Sequence, residues 1–199
     1  MVKTIFKGGF DDNFTYLLCS ENGDCAVIDP CGNCTANLKA MNIPPDSMKY
    51  ILITHSHSDH FDALDEVKKI FPAAKVAAHK QAELIKDILL DDSSELKFGS
   101  SIIEVLHTPG HSRDSLCYIY KPDNALFTGD TVFISCTGFC RSPKTMAQSL
   151  ERICNLPDEL IIYSGHDYGE VPSRSLKEEK VKNPELSAEF IAKLRSEHA

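Results

Sequence analysis

The residues best suited to chemistry crowd into one short run, ITHSHSDHFDAL (Ile53 to Leu64), which holds His55, His57, Asp59 and His60. Three more candidates each follow an apolar segment: His111 after EVLHTPG, Asp130 after ALFTG and His166 after LIIYSG. Imidazole and carboxylate are ligands of zinc, iron and manganese, and the lack of cysteine among them argues against a purely structural zinc site. Seven candidates exceed the four ligands of one tetrahedral ion. They suit two ions about 3.5–4 Å apart with a carboxylate between them, and Asp130, alone on its loop, suits that bridge. A histidine-rich turn that binds metal adventitiously is the competing reading, but it leaves the three remote residues unexplained.

Such residues need rigid elements to bring them to one cleft. NFTYLLCS and CAVIDP read as two short strands joined by the turn ENGD, and YILITH reads as a strand buried on both faces. DALDEVKKIF places Leu64, Val67, Ile70 and Phe71 at helical spacing. KVAAH then predicts a strand and QAELIKDIL a helix. SIIEVLHT, SLCYIYK and NALFTGD form a strand series separated by the turns PGHSRD and PDN. Ser142-Pro143 predicts the start of a helix carrying Met146, Leu150 and Ile153 on one face. ELIIYSG is another buried strand, and Asn183-Pro184 predicts the start of a last helix striped by Leu186, Phe190, Ile191 and Leu194. Two strand-rich halves flanked by helices fit a covered sandwich, while periodicity alone leaves a single α/β sheet open.

The chain has 199 residues, the size of one domain, with 42% apolar and 25% charged residues. A net charge of −8 disfavours a nucleic-acid partner, and no basic amphipathic helix points to a membrane surface. MVKTIFKGGFDDNF reaches acidic residues before any apolar run of signal-peptide length, and no window is long enough to span a bilayer. The expectation is a cytoplasmic protein acting on a small molecule, with its eight cysteines as free thiols; Cys19, Cys25 and Cys117 lie inside apolar runs. Cys31 and Cys34 form one isolated CxxC, read as unpaired thiols near a loop. Cys136 and Cys140 receive no role, and the oligomeric state is left open. His79, His107 and His198 are read as ordinary core or surface histidines.

THSHSDH resembles the THxHxDH signature of the metallo-β-lactamase superfamily, and TPGHS, FTGDTVF and SGHDYG are similar to its later motifs, in the same order. The resemblance runs from the AVIDP strand to the GHDY loop. It implies an αββα four-layer sandwich with metals at one edge of the two sheets. The chain then reads as a single domain, 1–199, with a short helical extension from about 173. Within the superfamily it is most similar to the glyoxalase II (hydroxyacylglutathione hydrolase) and persulfide dioxygenase groups. Both carry a similar last motif and then an E-E-x-x-x-NP-x-L pattern, here Glu178, Glu179, Asn183, Pro184 and Leu186.

The resemblance assigns His55, His57 and His111 to a first metal, Asp59, His60 and His166 to a second, and Asp130 to both. Asp29 would support the ligands from behind; its bland alternative is a turn residue before Pro30. Phe61-Asp62-Ala63 replaces a smaller turn and implies a narrower mouth beside the second metal. ISCTGFCRSP lacks the usual Gly-Arg-x-Asp-like run, with Arg141 as a substitute for that arginine. One main helix follows the last motif where glyoxalase II has a longer glutathione-gripping domain, so glutathione is not implied as the carrier.

The implied activity is a metal-dependent hydrolase of a thioester or related ester, with two divalent ions, zinc first and iron or manganese as alternatives. A water between two cations loses its proton near neutral pH, and the metals polarise the carbonyl. Asp59 and Asp130 would be catalytic, and Tyr168 and Arg141 would contact substrate. The alternative is a mononuclear-iron persulfide dioxygenase using His55, His111 and Asp130 as a facial triad; the altered loop after Asp130 favours hydrolysis. A non-catalytic metal module and an exported β-lactamase rank below both.

Overall fold

The computed structural model describes residues 1–196, so His198 lies outside the described residues. The first of two six-stranded sheets takes its strands in chain order: β1 (Val2–Gly8), β2 (Asn13–Cys19), β3 (Cys25–Ile28), β4 (Met48–Leu52), β5 (Lys75–His79) and β6 (Ile88–Leu90). The second holds β7 (Glu95–Phe98), β8 (Ser101–His107), β9 (Leu116–Tyr120), β10 (Ala125–Gly129), β11 (Ile161–Ser164) and β12 (Arg174–Ser175). β3 to β6 pair in parallel, as do β10 and β11; the other pairs are antiparallel. The helices are α1 (Cys34–Ala40), α2 (Leu64–Ile70), α3 (Pro143–Cys154), α4 (Leu176–Lys182) and α5 (Ala188–Ser196).

The period-2 alternation of each strand sorts the core into three layers. Around β4, Ile51 and Ile53 pack with Leu38 of α1 and Val67 of α2, while Leu52 faces the opposite sheet. On β9, Tyr118 points between the sheets, whereas Cys117 and Ile119 pack with Met146 and Leu150 of α3 and Leu194 of α5. Helices therefore cover both outer faces, and the αββα sandwich holds over the single sheet. Each fully buried aliphatic or aromatic side chain contributes about 1.5–3 kcal/mol.

Two tyrosines pin the sheets together at the edge where the candidate ligands lie. Tyr16 of the first sheet donates to the Ser164 carbonyl (2.7 Å), two residues before His166. Tyr118 of the second donates to the Ile53 carbonyl (2.6 Å), two residues before His55. The Leu116 amide adds a bond to the Thr54 carbonyl at 2.8 Å.

QAELIKDIL is not a helix. Its end, Ile88–Leu90, pairs with β5 as the sixth strand, and the Asp87 carboxylate accepts the Val76 amide at 2.9 Å. Ile85 is 93% exposed, so the helical stripe has no face to bury. Nine residues cannot hold a helix without packing, and the open edge of β5 offers backbone bonds instead. The last predicted helix is also broken. Pro184–Leu186 makes one 3₁₀ turn, Ser187 is extended (φ −70°, ψ 149°), and α5 starts afresh at Ala188. With α4, two α-helices follow the last motif rather than one. Cys19 and Cys25 are joined in a disulfide, against the expectation of free thiols; as directly opposed partners of the β2–β3 hairpin they stand side by side.

Candidate metal centre

Five strand ends deliver the site: β3 runs into Asp29, β4 into His55, β8 toward His111, β10 into Asp130 and β11 toward His166. All seven expected ligands converge. Atoms of His55, His57, His111 and Asp130 form one group, and those of Asp59, His60 and His166 another, each within 4.8 Å. Asp130 lies between them. Its Oδ2 is 3.5 Å from His111 Nε2 and 3.3 Å from His166 Nε2, and its Oδ1 is 3.2 Å from His60 Nε2.

The hydrogen bonds around the rings fix which nitrogen carries a proton. The Thr54 hydroxyl donates to Asp29 Oδ2 (2.7 Å), so it accepts from His55 Nδ1 at 3.1 Å. His60 Nδ1 donates to Asp29 (2.9 Å), His111 Nδ1 to the Phe139 carbonyl (3.0 Å) and His166 Nδ1 to the Asp11 carbonyl (2.6 Å). In the neutral tautomer each of these four rings then aims a bare Nε2 at the centre. His57 is turned the other way, with Nδ1 2.9 Å from His55 Nε2 and 3.0 Å from His111 Nε2. Asp130 Oδ1 is buried without a hydrogen-bond partner. Lone pairs packed this closely repel unless a cation lies among them, so the donor set fits divalent metal.

Ring orientation separates this centre from a second cluster. His55, His57 and His111 meet at 75°, 88° and 79°, so their lone pairs converge from different directions. His79 and His107, near Asp91, stack at only 12°, which leaves their lone pairs in parallel planes. His79 Nε2 is buried without a hydrogen-bond partner, 3.7 Å from Asp91 Oδ1.

Burial pushes His55, His57 and His111 below the usual imidazole range and keeps them neutral; the Arg141 charge adds to the effect at His57. Burial acts the same way on His60 and His166, but it is outweighed at His60 by Asp130 and Asp29 together and at His166 by Asp130 together with the Asp11 carbonyl. Their values rise because the surrounding carboxylates call for positive charge. Burial would raise Asp130, yet His60, His166 and His55 hold it well below the usual carboxylate range.

Several neighbours were not visible from motif spacing. Asn13 donates to Asp59 Oδ2 at 2.8 Å, and the loop before it supplies the Asp11 carbonyl to His166. The Phe14 amide ties this hairpin to the Gly165 carbonyl at 2.7 Å. The run GGFDDN, placed before a strand, was the available signal. Tyr168 stacks on His166 (5.0 Å, 12°), and its hydroxyl donates to the Asp11 carboxylate. Phe10, Phe133, Phe139 and Tyr168 line a cleft of about 400 Å³ over the centre. Phe61 does not: it packs against the core beneath α1 and α2, so the expected narrowing beside the second ligand group is absent.

The loop after Asp130 is held from behind by the C-terminal segment. Glu179 accepts the Ser135 amide (2.5 Å), and Asn183 Nδ2 donates to the Cys136 carbonyl (3.1 Å). Glu185 accepts both the amide (2.6 Å) and the hydroxyl (2.7 Å) of Thr137. Ser135 adopts φ 75°, a left-handed conformation that these bonds stabilise.

The chain belongs to the metallo-β-lactamase superfamily, whose family profile matches residues 8–166. Among its relatives, the hydroxyacylglutathione hydrolase of Bartonella henselae is 39% identical over 166 residues, 79% of this chain and 64% of that protein. That of Francisella tularensis subsp. novicida is 34% identical over 84% of this chain and 68% of its own. The chain thus spans about two thirds of the length of these relatives. The crystal structure of ETHE1 from Myxococcus xanthus superposes with a TM-score of 0.84 at 26% identity, covering 100% of this chain and 92% of that one. That of the BLEG-1 B3 metallo-β-lactamase gives 0.81 at 27%, covering 94% and 100%.

Proposed function

We propose that the protein is a metal-dependent hydrolase of thioesters or related esters, similar in activity to the hydroxyacylglutathione hydrolases. The observation that carries this reading is the convergence of bare imidazole nitrogens on both sides of Asp130, beneath an open cleft. In this reading His55, His57 and His111 would hold one divalent ion, Asp59, His60 and His166 would hold a second, and Asp130 would serve both groups; zinc comes first, with iron or manganese as alternatives. The bound metal supplies Lewis-acid polarisation of a carbonyl and lowers the pKa of water. The remaining work belongs to the chain. Asp59, oriented by Asn13, accepts a hydrogen bond from the attacking water, and the Tyr168 hydroxyl meets the substrate. Phe133 and Phe139 restrict water around the scissile bond. No covalent enzyme nucleophile is required.

The reading takes the substrate to be a small molecule met in the cytoplasm. No helix among the described residues is long and apolar enough to cross a membrane. Elemental analysis of protein purified without added metal is expected to give two divalent ions per chain, and S-lactoylglutathione is expected to release thiol. No thiol release with zinc, iron or manganese supplied would remove the thioester reading. His55, His111 and Asp130 together also make a two-histidine, one-carboxylate set. One iron per chain with oxygen uptake on glutathione persulfide would select a dioxygenase instead.

A further inference from the structure

Three strand ends also meet at the second histidine cluster. In the first sheet β5 ends at His79 and β6 ends one residue before Asp91, and in the second sheet β8 ends at His107. One ring nitrogen from each histidine and one Asp91 oxygen all lie within 4.8 Å of one another. The proposed reaction uses none of the three residues.

His79 is 1% exposed, yet its Nε2 has no hydrogen-bond partner. Asp91 Oδ1, at 3.7 Å, is beyond hydrogen-bond reach. A buried polar atom in this state costs about 1–3 kcal/mol, which a bound ligand recovers. The other two members are held in place. His107 Nε2 donates to the Arg113 carbonyl at 2.8 Å, so its Nδ1 carries the lone pair. Asp91 Oδ2 pairs with Lys80 Nζ, and Oδ1 accepts the Asp92 amide at 2.9 Å. The Asp91 side chain is half exposed, which leaves an ion a route in from solvent.

Two features set the strength of such a site. The Gln81 amide donates to His79 Nδ1 at 3.3 Å, which leaves the His79 proton on Nε2. An ion at Nε2 moves that proton to Nδ1 and gives up this long bond. The 12° stack of His79 on His107 also has to open, because one ion cannot lie in two parallel ring planes. Both costs make the site weaker than the centre, where bare lone pairs already converge.

We propose that His79, Asp91 and His107 form a further zinc site, which fastens the β6 edge of the first sheet to β8 of the second. Two imidazoles and a carboxylate are ligands that zinc accepts, and water completes a four-coordinate shell. The site stands on its own donors and does not rest on the hydrolase reading.

Equilibrium dialysis of the full chain against zinc, followed by elemental analysis, is compared with Asp91→Asn and His107→Ala. Each variant is expected to hold one ion fewer per chain than the unaltered protein, whatever number the centre holds. Asp91→Asn changes a half-exposed side chain and keeps its volume, so its fold is expected to persist. Long-range proton–nitrogen NMR of the imidazole rings gives an independent reading. On zinc addition the His79 proton is expected to move from Nε2 to Nδ1. An undiminished zinc count in either variant, or a His79 proton that stays on Nε2 in saturating zinc, overturns the proposal. S-lactoylglutathione hydrolysis is assayed alongside and is expected to be unchanged in Asp91→Asn. The zinc count and the hydrolysis therefore fail separately, one for this site and the other for the hydrolase reading.

Discussion

Asp29 accepts three bonds at once, from the Thr54 amide (2.8 Å), the Thr54 hydroxyl and His60 Nδ1. It does so from a left-handed backbone (φ 49°), which places its carboxylate behind the ligands rather than among them. Through His60 and Thr54 it sets the tautomers of two rings. Asp29→Asn keeps the volume but puts a donor where only an acceptor serves. Its metal affinity is expected to fall about 10–100-fold, as measured by competition with a chromophoric chelator. Gly165 makes a sharper case, because a Cβ there would sit 2.2 Å from Asp130 Oδ1 and 2.7 Å from His60 Cε1. Gly165→Ala must displace the central carboxylate, and kcat is expected to drop by about 10²-fold or more. Full activity in that variant would mean Asp130 does not have to stay where it is.

Among the elements, the C-terminal helices matter through the loop they hold. Glu179 is fully buried against Arg174, which is 6% exposed (2.8 Å), and also takes the Ser135 amide. Glu179→Ala leaves that guanidinium to Glu170 and the Ser135 hydroxyl and frees the Ser135 amide, and is expected to cost about 1–3 kcal/mol in urea unfolding. Glu185 sits further out and holds only Thr137, whose neighbour Phe139 lines the cleft and carries the carbonyl that fixes His111. Glu185→Ala is expected to raise KM several-fold while costing about 1–3 kcal/mol of stability. An unchanged KM with that stability loss would make the contact purely structural.

For the whole molecule, burial governs how the remaining thiols respond to pH. Cys31 is pushed up to about 12 and Cys34 and Cys117 to about 11, each chiefly by burial. The unfolded chain releases those protons first, from about pH 8.5. The stability these thiols contribute is complete below that pH and is lost as pH rises toward the folded values. The urea midpoint is therefore expected to decline above about pH 9. At pH 8, native protein should resist iodoacetamide at Cys31, Cys34 and Cys117, with peptide mapping as the check. Rapid alkylation of Cys31 would show that its pocket opens.

The seven candidate ligands could be singled out in the sequence because they stand on loops that follow strands with a strong apolar signal, and strand ends are where a sheet presents side chains. YILITH and ALFTGD therefore declared both an element and a site residue. Short-range pattern also carried α3, whose Met146, Leu150 and Ile153 are all buried as their spacing predicts. It failed at QAELIKDIL, where helical spacing lost to the backbone bonds offered by the edge of β5. It was silent about Asp11, Asn13 and Glu185, which touch the centre or its loop across separations such as 155, 46 and 48 residues. Residue type and local period determined the candidate ligands, most of the strands and the family likeness. Ring tautomers and the shape of the cleft were decided only in three dimensions, because each depends on contacts between distant segments.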